Sequence, residues 1–181
     1  EIWTFGARIK STPKLGPWDY YMEVAGQVGH IDGPGPAPGV ARRFGDNSLK
    51  NGIDHQALAA LVGFGYTFAD VDWKPRVGLE YNYASGDDDP TDGRNETFDN
   101  LFPTNHKFYG YMDFFAWRNV HNPRLTFSTQ PTKTVTTQLD FHMFWLAEEK
   151  DLWYRANSAP IGVPARRDIT GNSSSFVGSE V

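Results

Sequence analysis

The sequence predicts an all-β chain: an antiparallel up-and-down transmembrane β-barrel, present in part, with long extracellular loops and short periplasmic turns. Three observations predict it. Apolar and polar residues alternate over several long stretches, the connections between those stretches alternate between short and long, and aromatic residues collect near the stretch ends.

Successive side chains of an extended chain point to opposite faces, so a two-residue period marks a strand with one apolar side. In residues 2–10, Trp3, Phe5, Ala7 and Ile9 share a face opposite Thr4, Gly6, Arg8 and Lys10. In 18–30, Trp18, Tyr20, Met22, Val24 and Val28 oppose Asp19, Tyr21, Glu23, Ala25 and Gln27. In 54–68, Leu58, Ala60, Val62, Phe64, Tyr66 and Phe68 oppose His55, Ala57, Ala59, Gly63, Gly65 and Thr67. In 76–84, Val77, Leu79, Tyr81 and Tyr83 oppose Arg76, Gly78, Glu80 and Asn82. In 124–130, Leu125 and Phe127 oppose Arg124, Thr126 and Ser128, and in 134–147 the run Val135 to Trp145 opposes Thr136, Gln138, Asp140 and His142. A seventh strand begins near Phe176.

The connections 11–17, 69–75 and 131–134 are short, whereas 31–53, 85–123 and 148–175 are long. An up-and-down barrel needs this sorting, with tight turns at one rim and large loops at the other. Stretches 18–30, 54–68 and 134–147 exceed the roughly 5–6 residues common in globular strands and suit the roughly 9–11 that cross a bilayer at a tilt. With the short turns periplasmic, Trp18, Phe64, Tyr66, Phe68 and Trp73 belong to the inner rim, and Trp3, Phe5, Tyr81, Tyr83 and Trp145 to the outer one. Two belts of rings suit two membrane interfaces, where an amphipathic ring is half wet. The whole of 1–181 is read as one partial barrel domain. Both ends, EIWTFGARIK and FVGSEV, read as cut strands, so the sequence is expected to be a piece of a longer protein.

Composition narrows the function classes. A net charge of -5 with no basic stripe argues against a nucleic-acid partner. The absence of cysteine removes disulfides and thiolate metal sites. Mean hydropathy is -0.52, and no run approaches the ~18 apolar residues of a membrane helix. A barrel strand escapes that test because it buries only alternate residues in lipid.

The polar face then lines the lumen, with Arg8, Lys10, Asp19, Glu23, Gln27, Arg76, Glu80, Asn82, Arg124, Gln138, Asp140 and His142. Opposite charges there can pair, and open cations can bind an anionic solute; a water-filled lumen needs polar residues in any case. The loop SGDDDPTDGRNETFD offers carboxylates at close spacing. Asp87, Asp89 and Asp92 are the candidate ligands of a hard cation such as Ca²⁺ in residues 85–99, against the plainer reading of a solvated acidic turn. The spacing is not that of an EF-hand, because Pro90 stands where a ligand is needed. The aromatic segment KFYGYMDFFAWR (107–118) suits either an element folded into the pore or a hairpin on the outer rim.

Catalysis finds little footing. The chain lacks a nucleophile-elbow serine pattern. Asp140 and His142 have no serine to complete a triad and are expected to form a hydrogen-bonded pair in the lumen. His30, His55, His106 and His121 show no metal-ligand spacing. The prolines of DGPGPAPG remove the N–H donors a phosphate loop uses. The protein is read as a non-enzyme without a cofactor, apart from the Ca²⁺ option.

The runs WKPRVGLEYNYASGDDDPTDGRNETFDNLFPTNHKFYGYMDFFAWRNVHNPRL and PTKTVTTQLDFHMFWLAEEKDLWYRAN resemble the alginate export family of Gram-negative outer-membrane barrels, most closely from Trp73 to Asn157. The resemblance implies a bacterial outer-membrane location and a single-chain barrel of about eighteen strands, continuing past Val181 to a carboxy-terminal aromatic. It also implies passage of an anionic polysaccharide or related solute outward through a polar lumen. The matching inward cations are Arg8, Lys10, Arg76 and Arg124, joined by Lys107 and Arg118 where the long loop folds inward. The expected partners are outer-membrane lipid, the anionic saccharide or other solute, and periplasmic or surface proteins. Two further readings stand beside it: a plugged or structural barrel serving as a scaffold, and a soluble carbohydrate-binding β-sandwich.

Overall fold

The computed structural model describes residues 1–11, 16–31, 53–89, 92–101, 106–110, 112–156 and 174–181. Within them, seven strands form one antiparallel sheet: β1 (Ile2–Lys10), β2 (Trp18–Ile31), β3 (Ile53–Thr67), β4 (Arg76–Ala84), β6 (Val120–Thr132), β7 (Val135–Trp145) and β8 (Phe176–Glu180). Each strand pairs with its predecessor on the path β1-β2-β3-β4-β6-β7-β8, which is the up-and-down connectivity the loop lengths predict. Between β4 and β6 the chain adds a two-residue strand, β5 (Arg94–Asn95), parallel to β3, and one helical turn, α1 (His106–Tyr109). The chain is all-β and forms part of a barrel; β1 and β8 are the edges of the described sheet. The DGPGPAPG connection, Pro90 and residues 157–173 lie outside the described residues.

The outward face is apolar from edge to edge. Trp18, Phe64, Leu79, Leu125, Phe127 and Leu139 all stand on it, each between 47% and 66% exposed. Register joins them in rows: Tyr20, Phe64, Leu79, Leu125 and Phe141 form one, and Trp18, Tyr66, Val77, Phe127 and Leu139 the next. A water-soluble sandwich does not expose a continuous surface of this kind, whereas lipid solvates it. Rings gather at both ends of the sheet. Trp18 meets Tyr66 edge-on, with centroids 4.8 Å apart, near the short turns. Tyr83 meets His121 at 5.1 Å and Trp145 meets Phe176 at 5.2 Å near the long loops.

The largest boundary difference from the sequence reading lies at the start of β6. β6 starts at Val120, not at residue 124. Pro123 lacks an N–H and reads as a break, since proline removes a ladder hydrogen bond. The strand continues through it, and the β6–β7 ladder skips Asn122 and Pro123 while keeping its register on either side. Asn122 Nδ2 donates to the Met143 carbonyl at 3.0 Å, so a side chain replaces the missing backbone donor.

The buried core lies inside the curved sheet. Ala57, Ala59, Ala84, Val120 and Phe144 of the inner wall pack against Phe98, Tyr109 and Phe115 of the β4–β6 connection. That connection folds inward, onto the outer half of the wall.

Candidate functional site

The inner wall is organised around β3, where four of the inward residues are small. Ala57 and Ala59 leave room for the loop aromatics, and Gly63 and Gly65 leave room for side chains from the neighbouring strands. Tyr21 on β2 reaches across Gly63 to hydrogen-bond Glu80 on β4. Arg76 on β4 reaches back across Gly65 to Asp19 on β2, a two-pronged contact with Nε–Oδ2 at 2.8 Å and Nη2–Oδ1 at 2.6 Å. A Cβ at either glycine would collide with the crossing group.

Register sets Tyr21, Gly63, Glu80, Arg124, His142 and Glu180 in one row across β2, β3, β4, β6, β7 and β8. Arg124 Nη2 donates to Glu80 Oε2 at 2.8 Å, and Asn82 Nδ2 donates to Glu80 Oε1 at 2.8 Å. Asp140 accepts from Thr126 Oγ1 and from Gln138 Nε2, both at 2.6 Å. His142 Nδ1 lies 3.3 Å from Asn122 Oδ1, and its ring stacks on Phe144. The expected Asp140–His142 pair is therefore replaced by separate partners: the two residues share a wall, but Thr126 and Gln138 stand nearer the carboxylate.

These groups border a cavity of about 740 Å³. Arg76, Glu80, Arg124, Gln138, Asp140 and His142 line its wall, and Phe108, Gly110 and Met112 of the inward loop close its outer side. Glu180 ties the two together, its carboxylate lying against Gly110 and accepting from the Met112 N–H at 3.4 Å.

A buried polar network fastens the loop to the wall. Gln27 Nε2 donates to the Asp99 carbonyl at 2.8 Å, and Gln27 Oε1 accepts the Asp99 N–H at 2.8 Å. His55 lies between Gln27 and Asn95, at 3.2 and 3.0 Å. Asp151 accepts from the Asp87 N–H, Thr97 Oγ1, Tyr154 OH and its neighbour Leu152 N–H, linking the first loop to the one after β7. Asn119 does the same through the Glu148 and Leu152 carbonyls and the Glu148 N–H. Full burial pushes the Tyr109 hydroxyl well above its ordinary range.

Of the other residues singled out by sequence, Asn82 faces inward beside Glu80, and Arg8 pairs with Glu23 at 3.5 Å on an exposed stretch of β1 and β2. Lys10 stands opposite Tyr21 at the β1 edge. Arg118 is buried in the loop layer, where it bonds Asp99 at 2.9 Å and lies 4.6 Å over the Tyr154 ring. The Lys107 side chain lies outside the described residues. In the acidic loop the carboxylates that converge are Asp87, Asp88 and Glu96, with ligand atoms within 4.8 Å of one another. Asp89 and Asp92 are not in that group; Asp92 instead accepts the Arg94 N–H at 2.8 Å and shapes the turn. Burial, and then the neighbouring Asp88, raise Glu96 above the usual carboxylate range. Glu148 is raised for the same two reasons. Tyr21, Asp99 and Glu180 are not assigned to the site by sequence; the glycines opposite Tyr21 and Arg76 are the signal for the first.

An antiparallel sheet with a lipid-solvated outside and a hydrogen-bonded, charged inside is the wall of an outer-membrane-type β-barrel. The profile of the alginate export family matches residues 1–181, and the chain belongs to that family, one of outer-membrane transporters and channels. No curated protein and no solved structure matches the chain.

Proposed function

We propose that this chain supplies part of the wall of a bacterial outer-membrane channel of the alginate-export type. An anionic polysaccharide or related solute passes down its gradient through the polar lumen. The supporting observation is the contrast between the two faces of one sheet. The outside is apolar across the middle of the sheet, while the inside gathers Arg76, Glu80, Arg124, Asp140 and His142 around a cavity. Transit by a flexible chain requires contacts that are many and individually weak, and a wall carrying both donors and acceptors offers them.

The loop packed against Ala57, Ala59 and Ala84 favours a second reading, in which the barrel is plugged and acts as a scaffold in a surface or multiprotein assembly. Planar-bilayer recording of the membrane-extracted protein separates the two. The channel reading expects discrete open-state currents, and their absence would leave the scaffold.

A further inference from the structure

At the rim of the short turns two connections lie side by side, because β4 and β6 are neighbours in the sheet. One joins β3 to β4 and the other, around Lys133, joins β6 to β7. The Gln130 N–H donates to the Trp73 carbonyl at 2.7 Å and stitches them together. Between them runs a groove of about 540 Å³, bordered by Asp70, Asp72, Trp73, Lys74 and Lys133. The first connection is tightly wound: the Val71 N–H donates to the Phe68 carbonyl at 3.2 Å, and the Lys74 N–H to the Val71 carbonyl at 3.0 Å. It sets Trp73 at φ 65° and Lys74 at φ 44°, a left-handed conformation that is strained for a bulky residue. The turn thereby holds the indole out from the protein, 63% exposed.

The groove continues the lipid-facing surface. Phe68, at the foot of the same turn, meets Tyr66 edge-on at 4.8 Å, and Tyr66 meets Trp18. An exposed indole that prolongs such a belt sits at head-group depth. Around it the groove carries both signs, carboxylates from Asp70 and Asp72 and ammonium groups from Lys74 and Lys133. A purely anionic group would be drawn to the lysines and repelled by the aspartates. A head group that bears a phosphate and a primary ammonium matches both.

We propose that this groove binds a zwitterionic aminophospholipid of the leaflet at the short-turn rim. The phosphate lies on Lys74 and Lys133, the ammonium on Asp70 and Asp72, and the Trp73 indole against the glycerol backbone. A primary ammonium donates hydrogen bonds to carboxylates, which a trimethylammonium cannot do, so ethanolamine is preferred over choline. The site belongs to the barrel wall and is independent of what the lumen conducts.

The test is native mass spectrometry of the intact barrel released from nanodiscs that hold phosphatidylethanolamine, phosphatidylcholine and phosphatidylglycerol in equal parts. Heat-modifiable gel migration verifies that each variant is folded. Wild type should retain phosphatidylethanolamine in preference to the other two. Lys74→Ala and Lys133→Ala should each lower that retention about fivefold, the effect of one basic residue at a membrane surface. Asp72→Asn should lower it while raising retention of phosphatidylglycerol, a change of preference that a merely loosened turn would not give. Trp73→Gly, which takes the left-handed conformation without strain, should lower it in a barrel that still folds. Wild type that retains phosphatidylglycerol most, or that does not distinguish ethanolamine from choline, would overturn the proposal. So would retention unmoved in the folded lysine and aspartate variants.

Discussion

Arg124 and Glu80 meet at 2.8 Å on the inner face, with only 12% and 4% of their side chains exposed. Glu80 also receives the Tyr21 hydroxyl and the Asn82 amide, so one carboxylate ties β2, β4 and β6 together. Removing one partner of a buried pair leaves the other's charge poorly compensated, at a cost of about 3 kcal/mol. Glu80→Gln should therefore lower the urea midpoint of the protein folded in lipid vesicles. The double variant Glu80→Gln/Arg124→Gln should recover part of the loss, because it removes the stranded charge. Equal loss in the single and double variants would mean that the pair is not the source.

Gly63 and Gly65 matter for what crosses them. Gly63→Ala drives a methyl group into the Tyr21 ring, and Gly65→Ala drives one into the Arg76 guanidinium. Overpacking of this kind costs about 1–3 kcal/mol. The expected outcome is a loss of that size in each alanine variant, largely relieved for Gly63→Ala when Tyr21→Ala is added. An unrelieved loss in the double variant would point to the β3 backbone instead.

The lipid-facing row predicts a different sensitivity. Leu79 is 59% exposed in the middle of an apolar row. Leu79→Arg should destabilise the barrel in bilayers by about 2–4 kcal/mol, the cost of a cation near the membrane midplane. On the same strand, the native Arg76 and Glu80 are tolerated because they turn inward to Asp19 and Arg124. A Leu79→Arg variant as stable as wild type in vesicles would contradict a lipid-facing surface at this position.

The sequence shows the sheet more clearly than the site, for physical reasons. A strand with lipid on one side and water on the other has to alternate, so β1 to β4 and β7 are visible in residue pattern alone. Pro123 hides the start of β6, because the repair by Asn122 is a tertiary contact that no local pattern announces. β5 is invisible for a similar reason: two residues pair with β3 beside the buried Asn95–His55 contact. The inward fold of the loop left a trace in composition. Ala57, Ala59 and Ala84 are too small for a wall facing open water, and Phe144 is an apolar residue on the polar face. Read together, they mark the surface on which Phe98, Tyr109 and Phe115 lie. The charged residues were legible as inward-facing, but their pairing was not, since Asp19 and Arg76 lie far apart in sequence and meet only across β3.

The fastening of the loop predicts how conductance responds to its release. Asp151 and Asn119 hold the two long connections to each other through hydrogen bonds that are nearly all buried. Under the channel reading, Asp151→Ala or Asn119→Ala should raise single-channel conductance and current noise, as the segment capping the cavity loosens. The strands should be unaffected, which far-UV circular dichroism can check. Unchanged conductance in folded variants would show that the loop does not set the narrow part of the path.

The acidic loop should become firmer as pH falls. Glu96 has an ordinary value of 4.5 and is raised above it, first by burial and then by Asp88. A carboxyl raised on folding binds a proton more readily in the folded loop than in the opened one. Stability is then fully present below 4.5 and is lost as pH rises through the folded value, the reverse of a salt-bridged acid. Amide exchange of residues 85–99, corrected for the intrinsic pH dependence of the rates, should slow on acidification from neutral pH into this window. Glu96→Gln should abolish that response and firm the loop at neutral pH. Ca²⁺ bound among Asp87, Asp88 and Glu96 would firm the wild-type loop at neutral pH and have less effect on the variant, since it relieves the same repulsion. Faster exchange on acidification would show that Glu96 is held by a cation in the folded loop, not by burial beside Asp88.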